Sequence, residues 1–86
     1  MAEKEVGKVE NYFSKIGVAA VRVTAGELRV GDTIRISGAT TDLTQTVESM
    51  QVEHQNVETA KEGDLVGLKV SDRVRPGDKV FLVTEE

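Results

Sequence analysis

Glycine followed by aspartate, directly before an alternating apolar run, occurs three times in this chain. The three stretches are Val30-Gly31-Asp32-Thr33-Ile34-Arg35-Ile36, Glu62-Gly63-Asp64-Leu65-Val66-Gly67-Leu68 and Pro76-Gly77-Asp78-Lys79-Val80-Phe81-Leu82. Glycine adopts the positive φ that a tight corner requires, and aspartate can hydrogen-bond to backbone close by. After each corner the apolar residues fall at every second position, which turns one strand face toward a core. Three such corners within 86 residues predict an all-β chain, six or seven antiparallel strands closing into a small barrel that leaves no exposed edge.

The rest of the chain fits around those corners. Residues 1–4 read as a loose tail, 5–83 as the single domain and 84–86 as a frayed end. The alternation of Gly7, Val9, Asn11 and Phe13 predicts a first strand with Lys8, Glu10 and Tyr12 on its other side. Val18–Val23 forms a second strand, its apolar run interrupted by Arg22. Leu28 and Val30 pin the following connection to the core, and Thr33–Ser37 is the third strand. Leu43–His54 reads as one long strand whose apolar phase slips between Val47 and Met50, the pattern of a β-bulge. Glu53–Glu62 has too few apolar residues to hold a long helix, so a loop with at most one helical turn is expected. Leu65–Val70 and Lys79–Val83 complete the wall. Phe13 and Phe81 are assigned to the core, leaving Tyr12 as the exposed aromatic.

Composition excludes several chemistries. With no cysteine there is no disulfide, thiolate metal site or cysteine nucleophile. His54, the single histidine, stands among polar neighbours and reads as a solvated loop residue. Glu48, Glu53, Glu58 and Glu62 lack the dense oxygen-ligand spacing of a cation loop and read as a solvated face. No cofactor is implied, and an enzyme is not expected. Met1–Glu5 leads into no apolar run and no stretch is long enough to span a membrane, so a soluble cytoplasmic protein is expected.

A net charge of −4 argues against simple electrostatic binding of nucleic acid. The charge is unevenly spread. Residues 40–64 carry Asp42, Glu48, Glu53, Glu58, Glu62 and Asp64 against Lys61 alone, while Arg22, Arg29, Arg35, Arg73 and Arg75 all lie outside that segment. A locally basic face is therefore available on an acidic protein, with Arg22, Arg35 and Lys69 on the outer wall by alternation.

Gly26-Glu27-Leu28-Arg29-Val30-Gly31-Asp32, followed by Ile34, Ile36 and Gly38, resembles the signature of the second domain of translational GTPases of the elongation factor Tu type. The likeness continues through Val47-Glu48-Ser49-Met50-Gln51-Val52, close to the selenocysteine-specific elongation factor variant. It continues again in Ala60–Leu68 and Val74–Val80, and so spans residues 5 to 83. The chain also resembles a barrel that occurs as a C-terminal module in some collagenase-like peptidases. The resemblance implies a six- or seven-stranded Greek-key barrel without GTPase activity, since no Gly-x-x-x-x-Gly-Lys-Ser/Thr cradle is present. Arg22 matches a family arginine, and Glu48 matches the glutamate that in elongation factor Tu lies against the terminal adenosine of tRNA. Within Ser14–Val21 apolar residues replace the small polar pocket residues of the family, and Leu65 stands where the family has asparagine.

Two functions follow as expectations. One is a non-catalytic module contacting tRNA, rRNA or a translation-related protein through Arg22, Arg29, Arg35, Glu48, Arg73 and Arg75. The other is a protein-docking accessory barrel for a separate enzyme such as a collagenase-like peptidase, without nucleic acid.

Overall fold

Ten strands and, among the described residues, no helix make up the fold, a computed structural model that describes residues 2–84. The strands are β1 (Ala2–Phe13), β2 (Val18–Val23), β3 (Glu27–Arg29), β4 (Thr33–Ser37), β5 (Asp42–Thr46), β6 (Met50–Val52), β7 (Gln55–Val57), β8 (Thr59–Lys61), β9 (Leu65–Lys69) and β10 (Lys79–Thr84). Eight form one antiparallel sheet in the order β5-β4-β10-β1-β2-β9-β6-β7, and β3 pairs with β8 in a separate ribbon. The sheet curls around a core of Val6, Val9, Ala19, Val21, Val23, Leu28, Ile34, Ile36, Val47, Met50, Ala60, Val66, Leu68, Val70, Val74 and Val80. None is aromatic and most are valine, leucine or isoleucine, so the barrel-like wall is filled mainly by small branched side chains.

The three corners share one construction. Gly31, Gly63 and Gly77 have φ of 97°, 93° and 95°. The N–H of Asp32, Asp64 and Asp78 donates to the carbonyl three residues earlier, on Arg29, Lys61 and Arg75, at 3.1, 2.9 and 3.1 Å. Each aspartate Oδ2 accepts from the N–H of that same residue, at 2.9, 3.0 and 2.9 Å. A small ring thus locks each turn.

Each corner then docks on one buried valine. Gly31 N–H donates to Val47 O and Val47 N–H to Asp32 O, both at 2.8 Å; Gly77 and Asp78 hold Val9 in the same way, again at 2.8 Å. Gly63 N–H donates to Val23 O at 2.7 Å, and Val23 N–H to Asp64 O at 2.9 Å. Glycine, aspartate and valine form one joint, used three times.

Where β5 and β9 meet beyond the ladder, Gln45 bridges the seam. Its Nε2 donates to Lys69 O and its Oε1 accepts from Ser71 N–H, both at 2.8 Å. The side-chain amide takes the place that a neighbouring peptide group would fill.

Several local expectations need correction. Ala2, Glu3 and Lys4 pair with Thr84, Val83 and Leu82, so the segments expected to be loose belong to the sheet; Met1 and residues 85–86 lie outside the described residues. The phase slip between Val47 and Met50 is a break between β5 and β6, because Val47 leaves the ladder to serve the first corner. The bulges sit in β1 instead, with register shifts between Glu5 and Gly7 against β10 and between Val9 and Asn11 against β2. The second shift reverses the alternation. Tyr12 turns in against the core while Phe13 turns out to solvent, the opposite of the assignment from spacing. Phe81 is half-buried outside the core cluster, Val30 is exposed at its turn, and Glu53–Glu62 holds β7 and β8 with no helical turn.

Candidate docking groove

On the outward faces of β2 and β9, alternation and register set Val18 beside Lys69, Ala20 beside Gly67, and Arg22 beside Leu65. Ala20 and Gly67 have almost no side chain to raise above the sheet, so the middle of this face is low. A Cβ on Gly67 would meet only ordinary contacts, 3.5 Å to Val18 Cγ1 and 3.8 Å to Gln51 O. Two turns rise beside this floor. The β1–β2 turn brings Phe13 and Ile16, and is held by hydrogen bonds from Ile16 and Gly17 N–H to Phe13 O at 3.2 and 2.9 Å. The β6–β7 hairpin brings Val52, Glu53 and His54.

The result is a groove of about 600 Å³. Of the four large apolar side chains that are exposed among the described residues, Phe13 (47%), Ile16 (64%) and Leu65 (44%) all line it. The rim also carries Arg22, Glu53, His54 and Asp64. Glu53 and His54 are the two central residues of their hairpin, with φ of 53° and 64°. A two-residue turn with both positions left-handed suits Asn-Gly far better than this pair.

The six residues singled out from the sequence do not converge. Arg22 lines the groove, but its Nε donates to Glu10 at 2.7 Å and its Nη1 to Gly63 O at 3.2 Å, which ties it to the second corner. Arg29 pairs with Glu27 at 3.2 Å. Arg35 is clasped by Asp42 at 3.0 Å and Glu3 at 3.1 Å, and these carboxylates, Asp42 foremost, raise its already high pKa further. Glu48 is exposed between β5 and β6, in a shallow depression with Gln45, Thr46 and Lys69 rather than in the groove. Only Arg73 and Arg75 come to one place, a polar depression between the β4–β5 turn and the crossover before β10.

The groove residues were missed because alternation was read for its buried half alone. In Val18-Ala19-Ala20-Val21 both parities are apolar or small, a sign that the outward half of the strand also avoids charge. Among the described residues, no three His, Cys, Asp or Glu side chains are grouped to hold a metal. Among the same residues no helix is long and apolar enough to cross a membrane.

A family model described as elongation factor Tu domain 2 matches residues 17–72. An uncharacterized protease of Methanocaldococcus jannaschii is 44% identical over 82 residues, which cover 94% of this chain and 20% of that protein. The chain thus spans about a fifth of the length of that relative. The C-terminal domain of a Geobacillus thermoleovorans protein described as a U32 peptidase superposes with a TM-score of 0.87 at 23% identity, covering 94% of this chain and 93% of that domain. GDP-bound aIF5B from Aeropyrum pernix superposes with a TM-score of 0.62 at 20% identity, covering 93% of this chain and 14% of that protein. At these identities the two structures speak to the fold alone.

Proposed function

This chain belongs to the elongation factor Tu domain 2 family, and from that premise we propose that it is a non-catalytic docking barrel serving a peptidase of the U32 type. Its groove on β2 and β9 takes an apolar segment of the peptidase body. One observation carries this reading: three exposed large apolar side chains are gathered around a floor of Ala20 and Gly67 on a wall whose other outward positions are mostly polar. Such a patch marks an interaction surface. Glu53 and Asp64 on the rim favour a segment that also carries a basic residue. The resemblance to a protease over nearly the whole chain supports the same partner class.

Contact with RNA is less well supported. Arg22, Arg29 and Arg35 are each occupied by carboxylates, and a guanidinium so engaged must give up one partner to take a phosphate.

The test is an NMR titration of the ¹⁵N-labelled chain with the M. jannaschii protease lacking its matching segment, and separately with tRNA. Saturable shifts of Val18–Arg22 and Leu65–Gly67 with the protease, abolished in Ile16→Asp and Leu65→Glu, are expected. Absence of binding to the protease, or shifts of the same amides by tRNA alone, overturns the proposal.

A further inference from the structure

Arg73 and Arg75 differ from the other three arginines of this chain. Neither side chain forms an ion pair among the described residues, although acidic groups stand nearby. Each nearby carboxylate has one oxygen engaged by a different donor. Asp42 Oδ1 accepts from Arg35 Nε at 3.0 Å, Asp72 Oδ1 from the backbone N–H of Arg73 at 2.7 Å, and Asp78 Oδ2 from the backbone N–H of Arg75 at 2.9 Å.

The segment that carries the two arginines is anchored on both sides. Val74 between them is 1% exposed and fixed in the core. Arg73 and Arg75, on either side of it, are both exposed, and both line the same depression. The third corner holds Arg75 by both its N–H and its carbonyl. Facing them across the depression are Thr40 and Thr41, in a turn closed by a 2.8 Å hydrogen bond from Gly38 N–H to Thr41 O.

We propose that this depression is a binding site for a terminal phosphate group, with Arg73 and Arg75 as the cationic forks and the Thr40 and Thr41 hydroxyls as further donors. Guanidinium groups present parallel N–H pairs that match phosphate oxygens. Asp42, already paired with Arg35, and Asp72 line the depression as well and oppose an anion there. Against them, two guanidinium forks suit the dianion of a phosphate monoester better than the single charge of a phosphodiester. The depression is about 270 Å³, lined mainly by polar atoms of residues 40–43, 72, 73 and 75, and is separate from the apolar groove. The site is independent of the docking reading.

The experiment is an NMR titration of the whole chain with four probes: inorganic phosphate, a ribonucleoside 5′-monophosphate, and one short oligoribonucleotide with and without a 5′-phosphate. Saturable shifts at residues 40–43 and 72–75 are expected with the nucleotide and with the 5′-phosphorylated oligonucleotide. Binding should weaken at least tenfold in Arg73→Ala and in Arg75→Ala, while the melting temperature stays unchanged. Asp72→Asn should tighten binding several-fold by removing a nearby negative charge. Equal shifts from both oligonucleotides, retained binding in both arginine variants, or no saturable shift with any probe overturns the proposal. If only the nucleotide and phosphorylated oligonucleotide bind, the source is a nucleic-acid end; if inorganic phosphate binds as well, a bare phosphate group suffices.

Discussion

Replacing Gly63 with alanine isolates the backbone cost of one corner. Its φ is +93°, and an added Cβ would find nothing within 4 Å, so no collision contributes. What remains is the penalty of holding an L-residue in the left-handed region, about 1–2 kcal/mol. Gly31 and Gly77, at +97° and +95° with equally open surroundings, should cost the same. A domain of this size has about 4–13 kcal/mol of stability in total, so each single variant folds but melts some 4–16 °C lower. The triple variant approaches or crosses the point of unfolding. Urea unfolding followed by far-ultraviolet circular dichroism measures each value, with an unchanged m-value showing that the folded state is intact. D-alanine, introduced by chemical synthesis, accepts positive φ and should match or exceed glycine in stability. Gly7→Ala provides the contrast. That Cβ would lie 2.6 Å from Arg22 O, so β1 and β2 must part, and the cost should exceed that at any corner. A cost of L-alanine at the corners under about 0.5 kcal/mol, or D-alanine as harmful as L-alanine, would refute a backbone origin for the penalty.

Asp32→Ala and Asp64→Ala each remove a hydrogen bond from a charged acceptor and should cost about 1.5–3 kcal/mol in urea unfolding. Asp78→Ala should cost more, because Asp78 is the buried member of the set. Glu53→Asn combined with His54→Gly relieves two left-handed positions and should stabilise by about 1–2 kcal/mol, read as a higher urea midpoint. Gln45→Leu leaves Lys69 O and Ser71 N–H without their bridge; a loss of about 1–3 kcal/mol and faster hydrogen exchange at the Ser71 amide are expected. Leu65→Glu, on the exposed rim of the groove, should shift stability by no more than about 0.5 kcal/mol.

The corners were legible because they are local: Gly and Asp at adjacent positions, followed by Ile34 and Ile36, or Val66 and Leu68, state their geometry within a few residues. The all-β class and the inward faces of β2, β4 and β9 followed from that. What escaped depended on partners far along the chain. The β1 bulge that exchanges Tyr12 and Phe13 exists because β1 must pair with β10 on one side and β2 on the other. Local pattern makes Val47 a mid-strand residue, since nothing near it announces that Gly31 and Asp32 will claim its backbone. Sign of charge alone groups the arginines; in the fold Glu10, Glu27, Glu3 and Asp42 pair with three of them and set those apart from Arg73 and Arg75.

The place of β10 in the sheet has a consequence for how the chain reaches its folded form. The strand formed last in sequence lies between β4 and β1, two strands that share no ladder with each other. A nascent polypeptide emerging from the ribosome can close the β1–β2 hairpin and the β4–β5 hairpin early, yet these remain two fragments with open edges until β10 arrives to zip them together. Assembly of the sheet therefore waits until β10 has been made, as loop-closure entropy delays any distant pairing. In that interval β1 and β4 offer unpaired backbone to any other extended chain, and stalled or shortened products should be the ones that aggregate.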